Sequence, residues 1–327
     1  MNKWELLSLL CEQSKGKYIS GEEISKKFGI TRVAVWKCVN ELKKLGYEID
    51  SKTNNGYKIM PVDNSDFLNE YELLTRLQNK QLDYDVIYKK STDSTNNDAK
   101  KSSSENNLLI VAEEQTAGKG RYGRSFYSKN SGGIYFTLRI NKNNINLNID
   151  DITFFPLIAA TAVSQAVSSL CGIDLAIKWP NDLLYQSGEG YKKLCGILTE
   201  ASIEAESRSV SYVITGIGLN VNNNITDFPD EIKNIASSLK IISGKKYNRA
   251  DIICETVSNF TELMNLPRMQ LLDEYKKRLL LGIDISFAQN GKLIKGKAMG
   301  INENGNLIAK LENGEETTIQ SGEINFI

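Results

Sequence analysis

The sequence predicts an α+β chain in three parts: a small helical module that ends in a hairpin, a mixed sheet flanked by helices, and a small β-barrel. Three observations predict it. The chain has 327 residues, too many for one compact unit, since domains usually run to about 100–200 residues. Apolar spacing is helical up to Leu45, switches between strand and helix periods through the middle, and alternates in the strand period at the end. Turn signals of the Asn-Gly type stand at Asn55-Gly56 and recur at Asn290-Gly291, Asn304-Gly305 and Asn313-Gly314.

In the amino-terminal part, Leu6, Leu7, Leu9 and Leu10 form the apolar face of a first helix. Ser20 and Glu23 have the spacing of a capping box and open a second, which ends at Phe28-Gly29. Thr31 caps a third, whose apolar positions Val35, Val39, Leu42 and Leu45 leave Arg32, Lys37, Lys43 and Lys44 on exposed arcs. Gly46 closes it, and Tyr47 to Met60 alternates around Asn54-Asn55-Gly56. Helix, tight turn, basic helix and hairpin make a winged helix-turn-helix over residues 1–62. Met1 to Met60 holds eleven Lys and Arg against seven Asp and Glu, in a chain with 40 of each sign. That local excess suits a helix in the major groove with a wing on the backbone, and Thr31, Arg32, Trp36 and Lys37 are the residues expected to face DNA. The alternative is a protein-contact domain with a solvated charged face, in which Trp36 belongs to the core.

Composition narrows the chemistry. The chain has no histidine, which removes Ser-His-Asp and Cys-His catalysis and most zinc enzymes. Five cysteines stand without a CxxC pair and are expected to be reduced thiols, mostly buried, with no metal site among them. Lysine, arginine, carboxylates and backbone amides must carry any reaction. The longest apolar run, Ile152 to Val163, contains Pro156 and is shorter than the roughly 20 residues of a membrane span. With charges in the first five residues and no leader pattern, the expected location is the cytoplasm, without a membrane partner.

Pro61 to Asn69 reads as a linker into a central part spanning 63–281. Strands are expected at Val86 to Lys89, Leu108 to Ala112, Ile134 to Ile140, Leu194 to Glu200 and Tyr212 to Leu219, with helices at Ile152 to Leu170 and Ala250 to Leu263. Glu114 to Arg124 reads EQTAGKGRYGR, in which Gly118, Gly120 and Gly123 interleave with Lys119, Arg121 and Arg124. Such a loop can turn amide N–H groups toward an anion while cations close over it; a plain surface turn is the alternative. Its spacing fits neither a Walker loop nor a dinucleotide fingerprint. Ser94-Thr95-Asn96 ends a strand and opens a helix, where two hydroxyls and an amide can bond a small polar ligand such as a cyclic urea, or serve as an N-cap. Lys178-Trp179-Pro180-Asn181-Asp182 follows a short strand, Lys192 to Leu198 begins another, and Gly216 to Asn222 ends a third.

STN, EQTAGKGRYGR, KWPNDL, KKLCGIL and GIGLNVN occur in the order and rough spacing of the biotin protein ligase family. With the helix-turn-helix, the chain resembles the bifunctional branch of that family, the biotin operon repressors, over nearly its whole length. The resemblance implies that Ser94, Thr95, Asn96 and Gln115 hold the biotin ring and that Lys119, Gly120 and Arg121 are the loop's contacts. It places Gly118, Arg124, Phe126, Asn181 and Asn220 on the adenylate and ATP side, and gives Lys193 and Arg121 the developing charge of the reaction. Asp182 is the candidate for orienting the acceptor amine, with a structural turn acid after Pro180 as its alternative. Two departures are visible: Lys119 stands where arginine is common, which keeps the cation but loses the bidentate fork, and Phe126 stands where a tryptophan packs on adenine.

Residues 282–327 then correspond to an SH3-like domain that helps bind ATP and the carrier, or to a structural cap. The implied activity is ATP-dependent ligation of biotin, through biotinyl-5′-AMP and with Mg²⁺, to one lysine of a carrier such as the acetyl-CoA carboxylase carrier subunit. The implied regulation is a homodimer that binds operator DNA when it holds the adenylate. Two rivals remain. A lipoate or octanoate ligase shares the catalytic architecture, but its glycine-rich, histidine-bearing stretch has only a shadow in Ser131-Gly132-Gly133-Ile134-Tyr135-Phe136. A transcription factor that only senses the ligand would need less cationic machinery than Arg121 and Lys193 provide.

Overall fold

The computed structural model describes residues 1–12, 17–53, 55–60, 66–129, 131–142, 148–188, 190–204, 209–289 and 291–327. They form two compact units, Met1–Phe67 and Leu68–Ile327. Asn54 of the first turn signal, residues 61–65 of the expected linker, and Asn290 lie outside the described residues.

The first unit contains α1 (Lys3–Glu12), α2 (Gly21–Phe28) and α3 (Arg32–Lys44), then an antiparallel hairpin of β1 (Ile49–Lys52) and β2 (Gly56–Ile59). Both halves of the Ser20–Glu23 capping box are made, and Gly29 ends α2 at φ 65. The Thr31 hydroxyl accepts from the Ala34 N–H and starts α3. Leu6, Leu7, Leu9, Leu10, Ile24, Val35, Val39 and Leu42 bury together as the core. Leu45 departs from the expected stripe and is 41% exposed, because α3 stops at Lys44 and Gly46 turns the chain away at φ 96. Tyr57 and Ile19 exchange backbone hydrogen bonds, which tie the hairpin to the start of α2. A Cβ at Gly56 would lie 1.9 Å from the Ile19 carbonyl oxygen, so the close approach admits only glycine.

The second unit runs α4 (Glu70–Asn79), β3 (Asp85–Thr92), α5 (Thr95–Lys101), β4 (Leu108–Gln115), β5 (Ile134–Asn141), α6 (Phe155–Cys171), β6 (Ala176–Lys178), β7 (Asp182–Ser187), β8 (Gly190–Ile203) and β9 (Val210–Leu219). It continues with α7 (Asp230–Lys233), α8 (Leu239–Ser243), α9 (Arg249–Met264) and α10 (Arg268–Lys276). The strands form one mixed sheet, β3-β4-β5-β9-β8-β7-β6, in which β3 and β4 are parallel and every other pair is antiparallel. All eight residues of β5 are buried, as expected of a central strand covered on both faces. The stretch 149–171 is long and apolar enough to cross a membrane by length and composition; in this fold it is a core helix, with the Phe155 ring 6.0 Å from Phe260 of α9. Cys195 and Cys254 are buried, whereas Cys38 and Cys171 are half-buried and Cys11 is exposed, so the expectation that most are buried is corrected.

The chain closes with β10 (Asp284–Gln289), β11 (Lys292–Ile301), β12 (Leu307–Leu311), β13 (Glu316–Ile319) and β14 (Ile324–Phe326), an antiparallel sheet ordered β13-β12-β11-β10-β14. Gly291, Gly305 and Gly314 take positive φ at its turns. The turn at Gly305 docks on the central sheet: its carbonyl accepts from the buried Trp179 indole N–H at 2.9 Å. That contact brings β14 and Glu323 beside the loop that follows β4.

Arg249, at the start of α9, is buried against Glu113 of β4 at 2.7 Å and also donates to the carbonyls of Ser131 and Gly133. Tyr88 of β3 donates to the same carboxylate at 3.1 Å. Arg249→Met would leave Glu113 without its cation and two carbonyls without a donor, so a loss of roughly 3 kcal/mol is expected from urea unfolding. A midpoint unchanged from wild type would mean that water replaces the guanidinium at no cost.

Candidate functional site

The parallel pairing of β3 with β4 sets Thr92 opposite Gln115, which puts the Gln115 side chain beside the turn into α5. Gln115 Oε1 accepts from the Thr95 N–H at 2.9 Å and lies 3.1 Å from the Thr95 hydroxyl. Its Nε2 donates to the Ser128 hydroxyl at 3.3 Å. Thr137, from the middle of β5, reaches Asn96 Oδ1 at 2.7 Å and Thr95 Oγ1 at 2.8 Å. Ser94, Thr95, Asn96, Gln115, Ser128 and Thr137 are all buried. Ser94 holds the N-cap position of α5, yet its side chain makes no capping hydrogen bond, and it lines the cleft instead. This polar floor sits in an apolar sheet because Gly216 has no side chain; a Cβ there would lie 2.2 Å from Asn96 Oδ1.

The wall is the loop after β4. Its tip turns at Tyr122 (φ 55) and Gly123 (φ 74), and the Gly120 N–H donates to the Arg124 carbonyl at 2.7 Å. Gly118 is required at the base, where a Cβ would stand 2.4 Å from the Ser128 hydroxyl. Arg121 donates to Asn181 Oδ1 at 3.2 Å, Lys119 donates to Asn97 Oδ1 at 3.0 Å, and Arg124 is ion-paired with Glu323. Across the cleft, Lys193 Nζ lies 2.7 Å from Asp182 Oδ1. The register of β7 on β8 slips by one residue at Leu194, a bulge that re-aims Lys193. Burial pushes the Lys178 ammonium below the usual lysine range, with Asp182 and Glu323 opposing the shift. Lys119, Arg121, Arg124, Lys178 and Lys193 thus face two carboxylates, Asp182 and Glu323, around one cleft. The excess of cations favours an anionic ligand.

Phe126 packs between β8 and β9. Gly196 and Gly218 are paired in register, and Cβ atoms there would come within 3.2 Å and 2.5 Å of the ring. The glycines of KKLCGIL and GIGLNVN therefore make room for an aromatic side chain.

Of the residues singled out in the sequence, Ser94, Thr95, Asn96, Gln115, Lys119, Gly120, Arg121, Arg124, Phe126, Asn181, Asp182 and Lys193 line this single cleft, and Gly118 supports it from behind. Asn220 does not line it: it is buried, and its backbone is used to hold Leu194 and Leu239, with N–H···O distances of 2.9 and 3.2 Å. In the first unit Thr31, Arg32, Trp36 and Lys37 are exposed on α3, Trp36 at 55%, although Arg32 is ion-paired with Glu22. Lys26, and after it Arg32, hold the Glu22 carboxyl below its usual range. Sequence reasoning missed Thr137, Ser128 and Lys178. Thr137 had a signal, the one aliphatic hydroxyl in the strand IYFTLRI, beside the phenol of Tyr135.

A family model described as the biotin/lipoate A/B protein ligase family matches residues 86–220, an HTH domain matches 5–58, and a biotin protein ligase C terminal domain matches 280–326. The chain belongs to the biotin/lipoate A/B protein ligase family. It is 34% identical to the bifunctional ligase/repressor BirA of Bacillus spizizenii and 33% identical to that of Bacillus subtilis, in each case over 93% of both chains. Among solved structures it is similar to the biotin protein ligase from Aquifex aeolicus in complex with biotin and ATP, with 28% identity, a TM-score of 0.61, and coverage of 74% of this chain and 98% of that one.

The glycine cradle makes a graded prediction. Gly218→Ala, with the ring at 2.5 Å, should destabilise the protein by roughly 1–3 kcal/mol, and Gly196→Ala, at 3.2 Å, by less. Trimming the ring in a Phe126→Leu background should shrink the first penalty. Equal denaturation midpoints for both alanine variants would show that Phe126 swings clear.

Proposed function

We propose that this protein joins biotin to a lysine of a carrier protein through biotinyl-5′-AMP, and that the same intermediate controls its binding to operator DNA. The observation that carries the reading is one cleft in which a buried floor of amide and hydroxyl groups adjoins a rim of five cations. A neutral cyclic urea suits the floor, while a carboxylate and phosphates suit the rim. A linear acyl chain offers these floor groups no N–H or C=O to pair with, which disfavours a lipoate or octanoate substrate.

In the first step the biotin carboxylate attacks the α-phosphorus of ATP, the bond to the bridging oxygen breaks, and pyrophosphate leaves. Arg121 and Lys193 offset the charge that develops. In the second step the carrier's ε-amine attacks the acyl carbon, the acyl–phosphate bond breaks, and AMP leaves. Asp182, beside Lys193, orients that amine. No group of three or more metal-ligating side chains occurs among the described residues. Asp182 and Glu323 are the carboxylates that would hold Mg²⁺ in this cleft, where the ion would neutralise phosphate charge. Ser94, Thr95, Asn96 and Gln115 take the ring, Lys119, Gly120, Arg121 and Lys193 complete the biotin side, and Gly118, Arg124, Phe126 and Asn181 take the adenylate. The functional division is 1–62 for DNA, 63–281 for the ligase and 282–327 for help with ATP and carrier, in a cytoplasmic protein. Incubation with biotin, ATP, Mg²⁺ and a purified carrier domain, read as a mass shift of the carrier, tests the reading; an unmodified carrier overturns it.

Lys193→Ala removes a cation from the reacting centre without opening the core, so pyrophosphate release should fall by roughly 10²–10³ with the melting temperature little changed. A near-normal rate would leave Lys193 as an ordinary strand charge.

One helix-turn-helix reads a short half-site, and pairing two doubles the contacts, so adenylate should strengthen operator binding by favouring a homodimer, with Thr31, Arg32, Trp36 and Lys37 at the DNA. Carrier that consumes the adenylate should release the operator. Binding measured at fixed salt without ligand, with biotin and ATP, and with carrier added tests this; occupancy indifferent to carrier would sink the switch.

A further inference from the structure

We infer that Glu200, braced by Lys100, is a positioning residue that fixes the direction of the hydrogen bonds beneath the cleft floor and so keeps the Thr95 hydroxyl open as an acceptor for a ligand N–H. The inference rests on the reading of the floor as the biotin ring site. Glu200 does not line the cleft. Its Oε2 accepts from Asn96 Nδ2 at 2.9 Å, and its Oε1 accepts from Lys100 Nζ at 2.6 Å.

Proton accounting carries the argument. The nitrogen side of the Asn96 amide faces two acceptors, the Glu200 carboxylate and, at 3.4 Å, the Leu198 carbonyl. A flipped amide would set its oxygen against both, so the carboxylate decides the orientation. Asn96 Oδ1 then points at Thr137, whose single hydroxyl proton has two oxygens in reach, Asn96 Oδ1 and Thr95 Oγ1. The amide oxygen can only accept, and it takes that proton. Thr95 spends its own proton on Gln115 Oε1, which is fixed oxygen-inward by the Thr95 N–H. Thr95 Oγ1 is left with lone pairs toward the cleft. With Asn96 reversed, its Nδ2 would donate to Thr137, Thr137 would donate to Thr95, and one of the two lone pairs of Thr95 Oγ1 would be taken, which weakens it as an acceptor for the ligand. Glu200 stays ionised throughout the working range: burial raises its pKa, but hydrogen bonds from Lys100 and Asn96 outweigh that and hold it below the usual carboxylate value.

The test is biotin-dependent pyrophosphate release with the full chain. Glu200→Ala should raise the KM for biotin roughly tenfold, while kcat and the KM for ATP stay near wild type. Asn96→Asp, which sets two carboxylates face to face, should lose more. In the double variant Asn96→Asp with Glu200→Gln, the new amide can donate to the new carboxylate, and Thr137 can still donate to its other oxygen. The bond between positions 96 and 200 then runs the other way, but Thr137 still donates to position 96 and not to Thr95, so the biotin KM should recover well below that of Asn96→Asp alone. A Glu200→Ala KM equal to wild type overturns the inference, as does a double variant no better than Asn96→Asp, and both results leave the ligase reading standing. A wild-type chain that releases no pyrophosphate with biotin overturns that reading, and the inference with it.

Discussion

The Gln115 side chain accepts both protons that Thr95 offers, and that pair of hydrogen bonds joins the end of β4 to the start of α5 across the only parallel step in the central sheet. Parallel neighbours end on the same side, so two strand ends and the loops after them meet at one place. The floor residues enter from the β3–α5 turn and the cationic loop enters from the end of β4. Had β3 paired antiparallel to β4, Ser94-Thr95-Asn96 and Gly118 to Arg124 would lie at opposite edges of the sheet. The cleft follows from this topology, much as open α/β sheets place ligands outside the carboxyl ends of their strands.

Glycine controls the rest of the geometry by absence. Gly216 leaves space for the Asn96 amide, Gly218 and Gly196 for Phe126, and Gly118 for the Ser128 hydroxyl. Polar side chains thereby reach the middle of a largely apolar sheet, where Thr95, Asn96, Gln115, Ser128 and Thr137 hydrogen-bond to one another. A deeper pocket built by moving strands apart would have broken the ladder between β8 and β9.

Much of this was legible in the sequence. The three helices and hairpin of the first unit follow from the Ser20–Glu23 box, Thr31, Gly29 and Gly46, all local signals. The five strands read from periodicity have their centres where the sheet has them, and twelve of the site residues meet in one cleft. What was not legible depends on tertiary pairing. The helices α4 and α10 carry short, ordinary amphipathic patterns, and β6 and β7 are too brief for periodicity to separate. Thr137 acts only because β5 passes beneath α5, and Lys178 only because β14 lies near it; neither proximity has a local signature. Asn220, a polar residue of the GIGLNVN motif, lies outside this cleft, where its backbone bonds to Leu194 and Leu239.

The five cations of the cleft already have side-chain partners, but only two of these are carboxylates: Lys193 pairs with Asp182 and Arg124 with Glu323, while Arg121 and Lys119 donate to the amides of Asn181 and Asn97 and Lys178 lies over the Phe326 ring. An anion that enters must therefore exchange partners rather than meet bare cations, and the gain is the difference between two sets of interactions. Phosphates win that exchange through multiple oxygens and higher charge, while a lone biotin carboxylate gains less. On the proposed reading these cations favour the triphosphate of ATP over free biotin, whereas the adenylate's phosphate carries one negative charge, as the carboxylate does. Because Glu323 precedes β14, any ligand that draws Arg124 away also loosens a tie between the loop and the carboxyl-terminal sheet. The loop is thus tied to that sheet by an ion pair between an exposed arginine and a half-exposed glutamate, a class of contact weak enough to open.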